Sequence, residues 1–315
     1  MTAGRVVTLG ETLGVVASTR PGPVEVGSTA RLSIAGSEST VAIGLSRLGV
    51  AVTWVGHVGT DPFGRLIERE LRAEGVDARV VRETVPTAMM IREQRTSGLA
   101  RMTYHRANMA GSRLSPEDID DSLLDGADAV HVTGITPALG PGPAAAVDRI
   151  VDLAVRRGVL VSFDVNYRAN LWSEAMAQKT LHPLLAKADV VFASRHEAAL
   201  FCDSGPDASG SAKALHDAGA RLAVLKLGAE GSWAYGEGLD LGQAAHDVPV
   251  VDTVGAGDAF VAGYLAELVA GGSPATCLAT AAAMGAFAVS TLGDWEGLPS
   301  RDELALLGSV DDSIR

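Results

Sequence analysis

From Arg5 onward, short runs rich in β-branched residues alternate with longer stretches whose apolar residues recur at helical spacing. A chain patterned this way is expected to fold as an α/β protein, a mainly parallel sheet with helices on both faces. Candidate strands fall at 6–9, 52–58, 129–132, 159–164, 190–193 and 222–227. Several read as continuous apolar runs, as strands buried on both faces should. Candidate helices fall at 41–48, 62–74, 143–157, 173–185, 256–270 and 275–289. Two stretches, about 15–34 and 88–106, break the alternation, and in the second two β-like runs flank the hairpin signal Thr96-Ser97-Gly98. Together they are expected to form a small β lid outside the main sheet, over the strand ends where open α/β sheets bind ligands, and to offer a homodimer surface. With no internal repeat, low-complexity tract or long linker, one domain spanning 1–315 is expected. Its 47% hydrophobic residues and mean hydropathy of +0.20 suffice for a sizeable core.

A formal net charge of −12 and a pI near 5.0 leave no basic footprint, so neither nucleic acid nor an anionic membrane surface is expected as a partner. Any anionic ligand must be held by a few local groups. Cys202 and Cys277 lie far apart and match neither a disulfide framework nor a metal-ligand spacing; both read as packing residues in a reducing compartment. Residues 1–13 lack a charged segment followed by an apolar run, so no signal peptide is expected and the expected location is cytoplasmic. The longest apolar tract, 277–292, is interrupted by Thr280, Gly285, Ser290 and Thr291 and reads as a buried helix, not a membrane span.

The most informative segment is Asp252-Thr253-Val254-Gly255-Ala256-Gly257-Asp258-Ala259-Phe260, which runs straight into an apolar helix pattern. Free backbone N–H groups at a helix start, approachable because Gly255, Ala256 and Gly257 are small, suit a phosphate or its developing charge. Asp258 falls in that first turn, where the helix dipole favours a carboxylate able to take a proton from a nearby alcohol. By itself the string also suits a glycine-rich turn with Asp258 as a cap. Asp164, Asn166 and Arg168 would share one side if their strand continued, giving polar groups at a strand end. Glu197 reads equally as a solvated residue in a first helical turn. The turn from Lys226 through Gly228 to Gly231 is common wherever a strand leaves an α/β sheet, and Asp61-Pro62 reads as a helix cap.

Taken in order over nearly the whole chain, these strings resemble the ribokinase-like sugar kinases of the PfkB family. The nine residues 252–260 are similar to that family's second signature. The resemblance implies a ribokinase-like α/β/α sandwich and ATP-dependent phosphorylation of a hydroxyl, with Asp258 as general base and the turn of Gly255, Ala256 and Gly257 as anion hole. It assigns Gly36, Ser37 and Thr40 of the Gly36-Ser37-Glu38-Ser39-Thr40 stretch to substrate. Asn166, Ser194, Lys226, Gly228 and Gly231, with Gly255 and Gly257, go to the nucleotide. Glu197 goes to magnesium through water, and Asp252 with the Val254 backbone to a monovalent cation such as potassium. ATP and Mg2+ are the implied cofactors.

Within the family, the strings 101–106, 164–168 and 293–299 look most like the 2-keto-3-deoxygluconate kinases, which phosphorylate a six-carbon sugar acid. Tyr104, Arg106 and Arg168 would then face the substrate, the two guanidinium groups suiting a carboxylate. Against the pattern, Thr40 stands where an asparagine is expected, Ser194 replaces another, and Ala35 and Ala282 depart as well. A threonine reaches less far than an amide and cannot both donate and accept in the same way, which points to altered hydroxyl recognition. Two alternatives remain: a kinase of a neutral sugar (fructose, ribose) or nucleoside, and a non-catalytic sugar or nucleotide sensor on the same fold. No Gly-x4-Gly-Lys-Ser/Thr loop or helix-opening Gly-x-Gly-x-x-Gly occurs, which argues against P-loop and dinucleotide chemistry.

Overall fold

The computed structural model describes residues 3–96, 99–203, 205 and 207–308. Its strands are β1 (Ala3–Leu9), β2 (Leu13–Ser18), β3 (Ala30–Ala35), β4 (Val50–Gly59), β5 (Asp77–Glu83), β6 (Met89–Thr96), β7 (Leu99–His105), β8 (Ala129–Thr133), β9 (Leu160–Asp164), β10 (Val190–Ser194), β11 (Leu222–Lys226), β12 (Ser232–Gly236) and β13 (Leu239–Gln243). Its helices are α1 (Ser37–Arg47), α2 (Pro62–Ala73), α3 (Ile135–Ala138), α4 (Pro141–Arg157), α5 (Glu174–Lys187), α6 (Arg195–Ala198), α7 (Ala208–Asp217), α8 (Ala256–Val269) and α9 (Pro274–Val289).

A nine-stranded sheet runs in the order β13-β12-β11-β10-β9-β8-β1-β4-β5. The pairs from β11 through β5 are parallel, and only the β11–β12 and β12–β13 pairs are antiparallel. Burial on both faces explains the continuous apolar runs. In β10, Val190 and Phe192 enter one core with α1, α8 and α9, while Val191 and Ala193 enter the other with α4, α5 and α7. Each of the six candidate strands lands on an observed strand, β1, β4, β8, β9, β10 and β11, and the six candidate helices land on α1, α2, α4, α5, α8 and α9. The edge strands β5 and β13, and β12 beside the latter, carry no expectation; an edge strand with one face wet lacks the continuous apolar run. In β5, Val80 and Val81 are flanked by Arg79 on one side and Arg82 and Glu83 on the other.

The four-stranded second sheet, in the order β3-β2-β6-β7, comes from the two stretches that break the alternation. The pair β6–β7 is antiparallel, with Ser97 and Gly98 of the hairpin signal outside the described residues. Its inner face packs Leu13, Val15, Ala35, Ala88 and Met90 into a small cluster. At the neck between the sheets, Asp61 caps α2 by accepting the Gly64 N–H at 3.0 Å and also accepts the Thr87 N–H at 2.6 Å just ahead of β6. The capping explanation of Asp61-Pro62 therefore suffices. Among the described residues, no helix is long and apolar enough to cross a membrane, and 277–292 is largely the buried helix α9.

Candidate active site

Parallel strands all point one way, so their carboxyl ends and the loops leaving them gather at one edge, where the chain can build a site from many segments. At this edge the two sheets enclose a cavity of about 1260 Å³. That exceeds the few hundred to about 1,000 Å3 that suit one drug-sized ligand, leaving space for two reactants side by side.

The α8 N-terminus forms its centre. Gly255 has φ 75°, and a Cβ there would lie 1.9 Å from the Asp294 carbonyl oxygen, so only glycine fits. The N–H groups of Ala256, Gly257 and Asp258 belong to a first helical turn without intrahelical acceptors, and the Ala256 N–H makes only a long 3.5 Å contact to the Thr253 carbonyl. Asp258 in that turn is buried. Its Oδ1 accepts the Ser37 hydroxyl at 2.5 Å and Asn166 Nδ2 at 3.2 Å, and Asn166 Nδ2 also donates to Ser37 Oγ at 2.8 Å. Oδ2 accepts no hydrogen bond among the described residues, and Asp258 lines the cavity. Ser37 is available because α1 starts at Ser37, four residues before the expected helix, with Gly36 as its cap. The strand β9 ends at Asp164, as its candidate bounds have it, so the condition that would put Asp164, Asn166 and Arg168 on one side is not met, and Asn166 adopts φ 40°. That turn brings Asn166 to Asp258 while Arg168 reaches the exposed rim of the cavity.

On the other side of Asp258, Lys226 ends β11. Its Nζ meets Asp164 Oδ2 at 2.6 Å and would lie 3.4 Å from a Cβ on Gly257, so the ammonium flanks the helix start. Burial alone would lower the lysine pKa, but Asp164, Glu197 and Asp258 outweigh it and raise it above the ordinary value. Ser194 and Glu197 form a capping box on α6. Glu197 Oε2 accepts the Ser194 N–H at 2.7 Å, and Oε1 accepts the Tyr167 N–H at 2.9 Å. Glu197 is buried, not the solvated residue its local sequence allows. Gly228 (φ 59°) and Gly231 (φ 91°) turn the chain along the cavity wall, and Ala282 of α9 also lines the cavity.

Toward the second sheet, Gly36 donates its N–H to Asp294 Oδ2 at 3.0 Å. Burial, then the nearby Asp258 charge, raise the Asp294 pKa to about 7. Tyr104 of β7 lines the cavity half-exposed, and Arg106, just beyond the strand, holds its guanidinium 5.7 Å from the Tyr104 ring centre. Arg106 Nη2 also pairs with Glu11 Oε2 at 2.6 Å. Thr40 is wholly buried and is not among the cavity-lining residues, which corrects its expected contact with substrate: its side chain lies beside Asp294, which lines the cavity with Ser37 and Glu38. Sequence reasoning overlooked Glu11, Glu38 and Asp294. Glu11 has no pattern around it beyond its place after β1, whereas Asp294 lies within the 293–299 string.

Asp252 also differs from expectation. Its Oδ2 is ion-paired with Arg92 Nη1 and accepts the Gly293 N–H at 3.1 Å, while Oδ1 accepts the Val254 N–H at 3.3 Å. A monovalent cation does not fit a carboxylate whose charge is already balanced by a buried guanidinium.

Residues 3–301 match the pfkB family carbohydrate kinase pattern, and the chain belongs to that family. It is 34% identical over 315 residues to a 2-dehydro-3-deoxygluconokinase of Bacillus subtilis (strain 168), covering 98% of this chain and 96% of the relative. Among solved structures, a PfkB protein from Polaromonas sp. JS666 superposes with a TM-score of 0.86 at 35% identity, covering 95% of this chain and 98% of that one. An uncharacterized sugar kinase of Pyrococcus horikoshii in complex with ATP superposes with a TM-score of 0.79 at 26% identity, covering 96% and 97%. The fold is thus ribokinase-like.

Proposed function

We propose that this protein transfers the γ-phosphoryl group of magnesium-bound ATP to a hydroxyl of a sugar acid, 2-keto-3-deoxygluconate giving its 6-phosphate. The observation that carries the reading is the half-satisfied Asp258 carboxylate. Oδ1 is fixed by Ser37 and Asn166, while Oδ2 is free to take the proton of an alcohol beside the α8 N-terminus. As the alcohol attacks in line, its proton passes to Asp258 and the N–H groups of Gly255, Ala256 and Gly257 receive the charge of the transferring phosphoryl group. Lys226 lies beside the same turn and adds a positive charge there. Arg106, Tyr104 and Arg168 hold the substrate carboxylate, and Gly36, Ser37 and Asp294 meet its hydroxyl groups.

Magnesium suits the donor set, since this ion keeps most of its waters and leans on nucleotide phosphates more than on protein. With Glu197 saturated by backbone N–H groups, its influence on the ion would pass through water and through its field. The 34% identity to a 2-dehydro-3-deoxygluconokinase supports the sugar-acid assignment, and the ATP complex of a fold relative supports the nucleotide. One observation favours a second reading, a neutral sugar: Arg106 already has a carboxylate partner in Glu11. The second sheet, with open edges at β3 and β7 and exposed Leu32 and Leu99, is retained as a homodimer surface; a monomeric mass at micromolar concentration removes that part.

The deciding experiment measures magnesium-dependent ATP consumption with 2-keto-3-deoxygluconate, its galactonate epimer, fructose, ribose and adenosine, beside Asp258→Asn. Turnover of a keto-deoxy acid that vanishes in the variant is expected. Turnover confined to a neutral sugar or nucleoside leaves a kinase without a carboxylate clamp, and silence throughout favours a sensor.

A further inference from the structure

Arg92 lies on β6, two residues after Met90 and on the same inner face of the second sheet. It reaches across to Asp252, in the loop that leads into Gly255, and the two side chains are only 10% and 6% exposed. The Asp252 carboxylate also accepts N–H groups from Val254 and Gly293, while the backbone N–H groups of Val251 and Asp252 donate to the Val289 carbonyl at the end of α9. One carboxylate therefore organises the loop before the anion hole, the 293 loop and the second sheet together. Its charge needs a counter-charge in this buried place, and removal of either partner of a buried pair strands the other. A guanidinium supplies that charge permanently, with a planar fork that fixes direction as an alkali ion does not.

We infer that Arg92 stands in for a monovalent cation at Asp252, so that this kinase needs no potassium, and that it is a positioning residue for the Gly255–Gly257 turn. The inference rests on the phosphoryl-transfer reading for the purpose of the turn, and on the Arg92–Asp252 geometry alone for the absence of a cation requirement.

The test compares potassium, sodium and tetramethylammonium chloride at equal ionic strength on the wild type, Arg92→Ala and Arg92→Lys. It reads both kcat and the midpoint of thermal unfolding. The wild type is expected to keep its kcat within about twofold and its midpoint within about 1 °C in all three salts. Arg92→Ala is expected to lose about tenfold or more of kcat in tetramethylammonium and to recover severalfold in potassium, its midpoint rising only with the alkali ion; Arg92→Lys should retain most activity in every salt. Severalfold activation or clear stabilisation of the wild type by potassium would overturn the inference. So would an Arg92→Ala defect that no alkali ion relieves, since the ion pair would then be a structural tie only. If Arg92→Ala does not fold, the wild-type comparison still decides. If no substrate is turned over, the thermal arm reads the cation question separately from the proposed reaction.

Discussion

The two ends of the cavity are built by different physics. At the α8 end, Asp258 is held by a hydroxyl and an amide, neutral donors from α1 and from the loop after β9, each carried by the core of the nine-stranded sheet. At the second-sheet end, Arg106 is held by a full opposite charge from Glu11 and by an aromatic ring. In the proposed reaction these short-range bonds, both on Oδ1, would need no rearrangement for Oδ2 to act. In that proposed reaction the Arg106 pair would exchange partners before receiving a substrate carboxylate, so this end would serve selection and the other chemistry.

The difference breaks most sharply at the α8 end. Asp258→Asn removes the base but keeps the shape, and kcat should fall by about 10²- to 10⁴-fold while the nucleotide dissociation constant changes little. Steady-state kinetics with equilibrium nucleotide binding would show it, and an asparagine variant keeping a tenth of the activity would remove Asp258 from its role. Gly255→Ala should come next. Its methyl would collide with the Asp294 carbonyl and its φ of 75° is strained for alanine, so the anion-hole turn must shift. Loss of one well-aimed donor lowers kcat by about 10²- to 10³-fold. A stable variant with unchanged kcat would show that the turn's position does not matter.

This contrast also decides what could be read from the sequence. Gly255, Ala256, Gly257 and Asp258 are contiguous, and their small size at a helix start is a local property with a direct chemical meaning. The central strands were legible for a similar reason, because burial on both faces writes itself as an unbroken apolar run. Neither signal exists for Glu11. A single acidic residue beyond a strand has no pattern, and its partner Arg106 is 95 positions away, joined only when the second sheet folds over the first. The same holds for Arg92 and Asp252, 160 positions apart. Thr40 carries its expected role only through the resemblance, at a position where that family has an asparagine; the shorter threonine is wholly buried beside Asp294 and does not line the cavity.

At the second-sheet end the effects are smaller and fall on binding. Arg106→Ala should raise KM for a keto-deoxy acid by about ten- to a hundredfold with kcat nearly unchanged, since a charge-assisted hydrogen bond is worth about 1.5–3 kcal/mol. A neutral sugar, if it is turned over at all, should be almost indifferent to the change. Equal losses for acid and neutral substrates would mean that Arg106 supports the wall of the cavity and does not select its occupant.

The smallest effect carries the most specific information, because it depends on the exchange itself. Burial raises the Glu11 pKa to about 7, against the pull of Arg106 and with a small push from Glu38. Above that value Glu11 is ionised and competes for Arg106; below it, Glu11 is neutral and releases the guanidinium to a ligand carboxylate, which stays ionised down to about pH 4. KM for a sugar acid should therefore fall severalfold as pH drops from 8 to 6. Glu11→Gln fixes the neutral state, so its KM should sit near the low-pH value and lose the slope. A Glu11→Gln variant whose KM still falls with acid would place the titrating group elsewhere, and one whose KM rises at every pH would make Glu11 a direct acceptor for a substrate hydroxyl. In either case the two ends of the cavity would no longer differ in the way their charges suggest.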